Sequence, residues 1–296
     1  MKVIPMVSVV MITYGHEKFI KEAIEGVLLQ KADFSIELII ANDCSPDKTD
    51  KIVSELIISN ETNIEISYKK HEANIGMMPN FIFALNQANG KYIAICDGDD
   101  FWNDPYKLQK QVNFLESNTE YVLCFHKIKI LKPNGELVDD FITKVPKKHQ
   151  TLIDLASFGN YIHTPSVVFK NILKEFPEEF FRSPFGDFFI YLLLAEHGKL
   201  HHIEENMAVY RYGVGVHSTK SKLKMAKISN LFFINYLSYS NNKEVNKVIF
   251  EKQLMSYDKF EQLVKEDCNL QTLFENYKQK LHYIFIKIKK KIKTIK

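Results

Sequence analysis

Over the first 130 residues the apolar positions switch repeatedly between two periods. Residues 7–12 are a continuous β-rich run, the pattern of a strand buried on both faces. Residues 17–30 follow at helical period, with Phe19, Ile20, Ala23, Ile24, Val27 and Leu28 on one side. Residues 37–41 make a second buried strand that runs into Asn42-Asp43-Cys44-Ser45-Pro46-Asp47, where Ser45 or Asp47 can cap a helix over 48–59. A third strand covers 64–68. Asn74-Ile75-Gly76 opens a helix reaching Ala88, and Asn89-Gly90 carries the signal of a left-handed cap at its end. The fourth strand, 92–96, leads into Asp97-Gly98-Asp99-Asp100, and Pro105 starts a helix to about residue 116.

Strand followed by helix, four times over, predicts an α/β protein with a mostly parallel sheet flanked by helices. In such sheets ligands bind beyond the carboxyl ends of the strands. The polar clusters stand at those ends: Thr13-Tyr14 after the first strand, Asp43 after the second, Asn74 after the third and Asp97–Asp100 after the fourth. The middle of the chain is less regular. Residues 121–131 and 137–142 flank Pro133-Asn134-Gly135 as a hairpin, 166–169 and 208–212 read as strands, and 187–197 reads as a helix. From Lys222 onward the pattern is helical, with a break near 240–242.

Charge sharpens this picture only at the C-terminus. Lys and Arg number 39 against 36 Asp and Glu, so no global field marks a nucleic-acid binder. Residues 276–296, however, hold eight lysines and no acid, and without them the body carries a formal charge of −5. Leu281, Ile284, Phe285, Ile288, Ile292 and Ile295 fall at helical spacing in this tail, with Lys287, Lys290, Lys291 and Lys293 filling much of the rest. That is a basic amphipathic helix, suited to an anionic membrane surface, with packing on the body as the alternative. No stretch reaches the roughly 20 apolar residues of a span. The four cysteines show no metal-ligand spacing and predict reduced core thiols, hence a cytoplasmic location.

Asp97-Gly98-Asp99 carries the most chemistry. Residues two apart at a strand end point to the same side, and two carboxylates there can hold a hard divalent cation together with waters and substrate phosphates. Glycine between them permits close backbone approach. The competing reading is an acidic turn that caps the next helix. Asp43 can accept hydrogen bonds from a base or ribose, or form an ordinary Asn-Asp turn. Tyr14 can stack on a base or simply pack, and Asn74-Ile75-Gly76 alone marks a turn.

Four blocks, VSVVMITYGHEKFIKEAIEGVLLQ, ELIIANDCSPDKT, HEANIG and GKYIAICDGDDFW, resemble in order and spacing the nucleotide-sugar half of glycosyltransferase family 2 from Val7 to about Glu116. The resemblance implies a glycosyltransferase A-type fold with a smaller acceptor-side sheet and a helical C-terminal region. Residues 1–220 would form the catalytic domain (1–118 the nucleotide-sugar half, 119–220 the acceptor half), and 221–296 the helical region with its tail. It implies that Asp43 contacts the base, Asp97 the ribose region, and Asp99 a Mg²⁺ or Mn²⁺ ion on the diphosphate. Thr13, Tyr14, Asn74 and Gly98 would complete the nucleotide-sugar pocket. Downstream, Gly186-Asp187 followed by an apolar helix resembles the family's base-bearing helix start, with glycine where many members carry glutamate; a plain N-cap is the alternative. His163 and Thr164 sit where the family lines its acceptor pocket, and Tyr210-Arg211 with His217-Ser218 resembles a closing segment whose histidine reaches the metal.

These implications describe an inverting, metal-dependent transferase. It would move sugar from a nucleoside diphosphate, UDP favoured, to a hydroxyl of a glycan or lipid-linked acceptor in bacterial surface-polysaccharide synthesis, at the cytoplasmic face of the membrane. Other readings are a glycoside hydrolase with Asp97 and Asp187 as its carboxylate pair, a sugar nucleotidyltransferase, which would need a glycine-rich basic loop missing from residues 12–15, and a non-catalytic scaffold.

Overall fold

The four strand–helix pairs form in the predicted order: β1 (Val7–Thr13), α1 (Ile20–Leu28), β2 (Ile36–Asn42), α2 (Thr49–Ile58), β3 (Glu65–Lys70), α3 (Met77–Gln87), β4 (Tyr92–Ile95), then β5 (Phe101–Trp102) and α4 (Lys107–Ser117). They are followed by β6 (Tyr121–Leu131), β7 (Leu137–Asp139), α5 (Leu152–Phe158), a 3-10 turn at Thr164–Ser166 and β8 (Val168–Lys170). The chain continues through α6 (Glu178–Phe181), α7 (Gly186–Ala195), β9 (Lys199–Arg211), α8 (Lys222–Tyr239) and α9 (Lys243–Glu266). The computed structural model describes residues 4–215 and 220–266. His217 and the basic tail lie outside them.

The chain divides into two compact units: Met1–Phe176 with Gly186–Ser218, and Pro177–Phe185 with Thr219–Lys296. The first holds one sheet in the order β3-β2-β1-β4-β8-β6-β9-β5, with β7 paired to β6. β3, β2, β1 and β4 run parallel, as the sequence predicts. The expected smaller second sheet is not separate: the later strands continue the same sheet with mixed direction, β8 antiparallel to β4 and β6, β9 parallel to β6, and β5 antiparallel to β9. One face of the parallel part packs Val7, Val9, Met11, Leu38 and Ile40 against Ile20, Ile24 and Val27 of α1 and Val53 of α2. At roughly 25 cal/mol per Å² of apolar surface, each such fully buried side chain is worth about 1.5–3 kcal/mol, so the parallel half is anchored chiefly by this layer. The second unit is built on the α8–α9 pair, in which Asn230 Nδ2 reaches Ser256 Oγ at 3.2 Å.

Several local expectations need correction. Gly90 is not a left-handed cap, because its φ is absent from the positive-φ glycines; a Cβ there would stand 2.6 Å from Ser8 N and 2.9 Å from Tyr92 O. Close backbone packing is what calls for glycine. Asp47 accepts from Thr49 N in the first turn of α2 at 3.0 Å, whereas Ser45 Oγ is drawn off to Gly15 N at 3.0 Å. The helix α5 went unpredicted although Thr151 and Asp154 form a reciprocal capping box in front of it. β9 begins at Lys199 instead of 208, since polar residues hide the period of its first half. Cys96 and Cys124 are buried free thiols, as expected, while Cys44 is only half-buried.

Candidate functional site

Three β-strand ends make one rim of the site. Asp43 N bonds Thr13 O at 3.0 Å, and Gly98 N bonds Ile12 O at 3.0 Å, so the ends of β1 and β2 and the loop after β4 are stitched side by side. Asp43 is buried, and its two carboxylate oxygens accept from Ile75 N at 2.7 Å and Gly76 N at 2.9 Å. The Asn74 loop is thereby tied to the rim, and Asn74 Oδ1 itself accepts from Gly76 N at 3.0 Å. Cys44 turns the chain after Asp43 with φ +59°, a left-handed conformation uncommon without glycine. A Cβ on Gly98 would lie 2.8 Å from Thr13 Oγ1 and 2.9 Å from Ile20 Cδ1, so glycine lets the acidic loop rest on β1 and α1. Tyr14 is 47 % exposed beside them.

The acidic loop is held from a distance. Arg211, at the end of β9, donates from Nη1 to Asp99 O at 2.6 Å, and its backbone N–H donates to Asp100 Oδ1 at 2.9 Å. Its guanidinium lies over the rings of Phe19 and Phe101 and pairs with Glu22. Asp100 is therefore structural. Asp97 and Asp99 differ from it: their carboxylates make no hydrogen bond among the described residues, although Asp99 is only 7 % exposed. Burial, and then the charges of Asp99 and Asp187, push the Asp97 carboxyl well above its usual range. His16 also faces Asp99. Burial lowers its pKa, and the Asp99 charge works against that shift.

No three His, Cys, Asp or Glu side chains gather as a metal nest among the described residues. The donor set nevertheless fits a magnesium or manganese ion: two unpaired, crowded, hard carboxylates at a rim, of the kind that bind such ions through one or two protein oxygens plus phosphates and waters. Of the two, Asp99 would hold it.

A second group of the predicted residues is built around α7. Asp187 Oδ2 accepts from Asn160 Nδ2 at 2.7 Å, and burial raises its pKa against the opposing pull of the Phe188 N–H, the Asn160 amide and the charge on His163. A Cβ on Gly186 would meet Met78 Sδ at 2.6 Å and Phe81 Cδ1 at 3.1 Å, which explains the glycine ahead of Asp187: α7 starts hard against α3. His163 Nε2 lies 2.9 Å from Asp140 Oδ2, which also accepts from Thr143 Oγ1 at 2.7 Å. A carboxylate only accepts, so the Nε2 of His163 carries the proton. Thr164 follows at the start of the 3-10 turn, whose Pro165 O accepts from Trp102 Nε1 at 2.8 Å.

Thr13, Asp43, Asn74, Asp97, Gly98 and Asp99 thus share one rim, and the charges of Asp97 and Asp187 act on each other across it. His163 lies close enough to Asp187 for its charge to act on that carboxyl. His217 cannot be placed. Sequence reasoning missed Asp140, Asn160 and His16; polar residues just past β7 and just past α5 were the available signal for the first two.

Residues 8–176 match the family described as Glycosyl transferase family 2. An uncharacterised glycosyltransferase of Methanocaldococcus jannaschii is 30% identical over 257 residues, covering 83% of this chain and 86% of its own length. An uncharacterised protein of Mycobacterium tuberculosis is 33% identical over 206 residues, 69% of this chain, and the match spans only 58% of that relative. Among solved structures, Staphylococcus aureus TarS with UDP-GlcNAc aligns with a TM-score of 0.60 at 20% identity, covering 83% of this chain and 70% of that one. A mannosyltransferase of Pyrobaculum calidifontis with GDP-Man and Mn²⁺ aligns with a TM-score of 0.62 at 14% identity, covering 90% and 75%. These two share the A-type fold described above. A family match over more than half of the sequence, on the same strand ends that carry the acidic rim, makes this chain a member of glycosyltransferase family 2.

Proposed function

We propose that the protein is an inverting glycosyltransferase that moves a sugar from a nucleoside diphosphate, UDP favoured, to a hydroxyl of a glycan or lipid-linked acceptor in bacterial surface-polysaccharide synthesis. The observation that carries this is the pair of unpaired carboxylates, Asp97 and Asp99, facing a third, Asp187, that is held by Asn160. The structural relatives' ligands, UDP-GlcNAc and GDP-Man, support a nucleotide-sugar donor. A poly(ribitol-phosphate) N-acetylglucosaminyltransferase and a putative teichuronic acid glycosyltransferase among the relatives support an envelope polymer as acceptor.

In this reading Thr13, Tyr14, Asp43 and Asn74 bind the nucleoside, and Asp97 with Gly98 orients the ribose and diphosphate. Asp99 and His217 would hold the divalent ion. When bound, that ion acts as a Lewis acid on the diphosphate charge that grows as the C1–O bond breaks. Asp187 accepts the proton of the attacking hydroxyl, a role worth about 10²–10⁴ in rate. Burial raises its proton affinity, which suits a base. Asn160 fixes its orientation, and His163 and Thr164 position the acceptor. Attack from the face opposite the diphosphate inverts the anomeric centre. In a glycoside hydrolase Asp43 and the Thr13-Tyr14 turn would have no task.

Thermal unfolding with UDP, GDP, dTDP and CDP, with and without Mn²⁺, tests the reading. One diphosphate should stabilise the protein, and more so with Mn²⁺; Asp99→Asn should remove the Mn²⁺-dependent increment alone. Stabilisation by none of the four, with or without Mn²⁺, would end the proposal. The basic tail is proposed to hold the enzyme on an anionic membrane surface, where a lipid-linked acceptor would be met. No described helix is long and apolar enough to cross a membrane.

A further inference from the structure

Tyr191 lies one helical turn after Asp187 on α7, so the two side chains share a face. Its ring is fully buried, and its hydroxyl has no hydrogen-bond partner. Burial first, then the charges of Asp187 and Asp97, hold the phenol well above its usual range. Those two charges belong to opposite sides of the site: Asp97 to the nucleotide rim, Asp187 to the acceptor side. A buried O–H left without a partner is costly, and phenylalanine would fill the same space without that cost. Asp187 does not take the hydroxyl up; its Oδ2 is engaged by Asn160 Nδ2 at 2.7 Å. In a displacement at an anomeric carbon, the part of the substrate lying between leaving diphosphate and base is the sugar itself.

We infer that the Tyr191 hydroxyl is a donor-sugar contact, bonding a hydroxyl of the transferred sugar once the nucleotide sugar sits between Asp97 and Asp187. This rests on the glycosyltransferase reading above and adds a residue that selects the sugar. A protein group reserved for a substrate hydroxyl rejects sugars that lack it, because the group is then left unpaired. Asp97 and Asp187 are both only half-buried. The Tyr191 ring is fully buried, so the contact requires a side-chain rearrangement at the site, a change of the size common on ligand binding.

Tyr191→Phe removes one oxygen and keeps the ring. Calorimetric titration of both full-length proteins with UDP, UDP-GlcNAc, GDP and GDP-mannose in Mn²⁺, plus thermal unfolding without ligand, tests the assignment. The variant should unfold at the same temperature or higher. It should bind the preferred diphosphate within twofold of the parent, and bind the matching nucleotide sugar about 5–20-fold more weakly. An unliganded midpoint lower by several degrees overturns the inference, since the hydroxyl would then be bonded inside the resting protein. Equal nucleotide-sugar affinities overturn it in favour of a buried structural water. Equal weakening of diphosphate and nucleotide sugar assigns the hydroxyl to the nucleotide grip and also overturns it. If the parent binds none of the four, this inference is overturned, and the transferase reading falls with it only when dTDP and CDP also fail to stabilise the protein.

Discussion

Asp140 belongs to no motif, yet it anchors the His163 ring by a hydrogen bond to Nε2. Burial opposes its charge, but the His163 imidazole and the Thr143 donors outweigh burial and bring the carboxyl from 3.8 down to about 2. Because the folded value is depressed, the stabilisation is present above the unfolded value and is lost as pH falls through the folded one. The side chain is 21% exposed, so screening is partial, and the contribution is on the order of 1–2 kcal/mol. Asp140→Asn should lower stability by that amount at pH 7 and flatten its fall between about pH 4 and 2, measured by urea unfolding at several pH values. Asp43, Asp97, Asp99 and Asp187 were legible in the sequence because each abuts an apolar run whose period fixes where it ends. Asp140, Asn160 and Tyr191 were not. Their tasks arise only when the loop after β7, the exit of α5 and the second turn of α7 meet, and no local period encodes that meeting.

At the scale of elements, the two-residue strand β5 and the end of β9 do what the longer strands cannot. β5 pairs Phe101 with Val209 and Trp102 with Ala208, which draws the acidic loop against Arg211. The planar guanidinium serves Asp99 O and two aromatic rings at once, a geometry an ammonium does not reproduce. Arg211→Lys should cost about 2–3 kcal/mol of stability, because a buried acceptor and two ring faces lose their partner. It should also weaken stabilisation by the preferred diphosphate in the same thermal-unfolding assay, whereas a purely packing role would change the first reading and leave the second. The Glu22 pair adds little, since that carboxylate is 54% exposed. The buried parallel strands were readable from their period. β5 was not, being shorter than any window in which a period exists.

For the whole molecule, the parallel direction of β1 to β4 followed from counting strand–helix pairs, whereas their order in the sheet, β3-β2-β1-β4, did not, and past β4 the rule ran out. β8, β6 and β9 join by mixed pairing over long separations, which alternation along the chain does not specify. The proposed membrane contact belongs to this scale as well, since about 1 kcal/mol per lysine near an anionic leaflet adds up only when several act together. Deleting residues from Leu281 onward should move the protein from the membrane pellet to the soluble fraction while UDP binding persists, measured by flotation with phosphatidylglycerol vesicles; an unchanged distribution would remove the tail from the proposal.

The hydrogen bond from Arg211 to Asp99 spans 112 residues of sequence. A chimaera that exchanges only the first 118 residues between relatives would import an acidic loop and leave its clasp behind. Recombination that exchanges this segment therefore keeps the clasp only where the β9 it meets ends in an arginine.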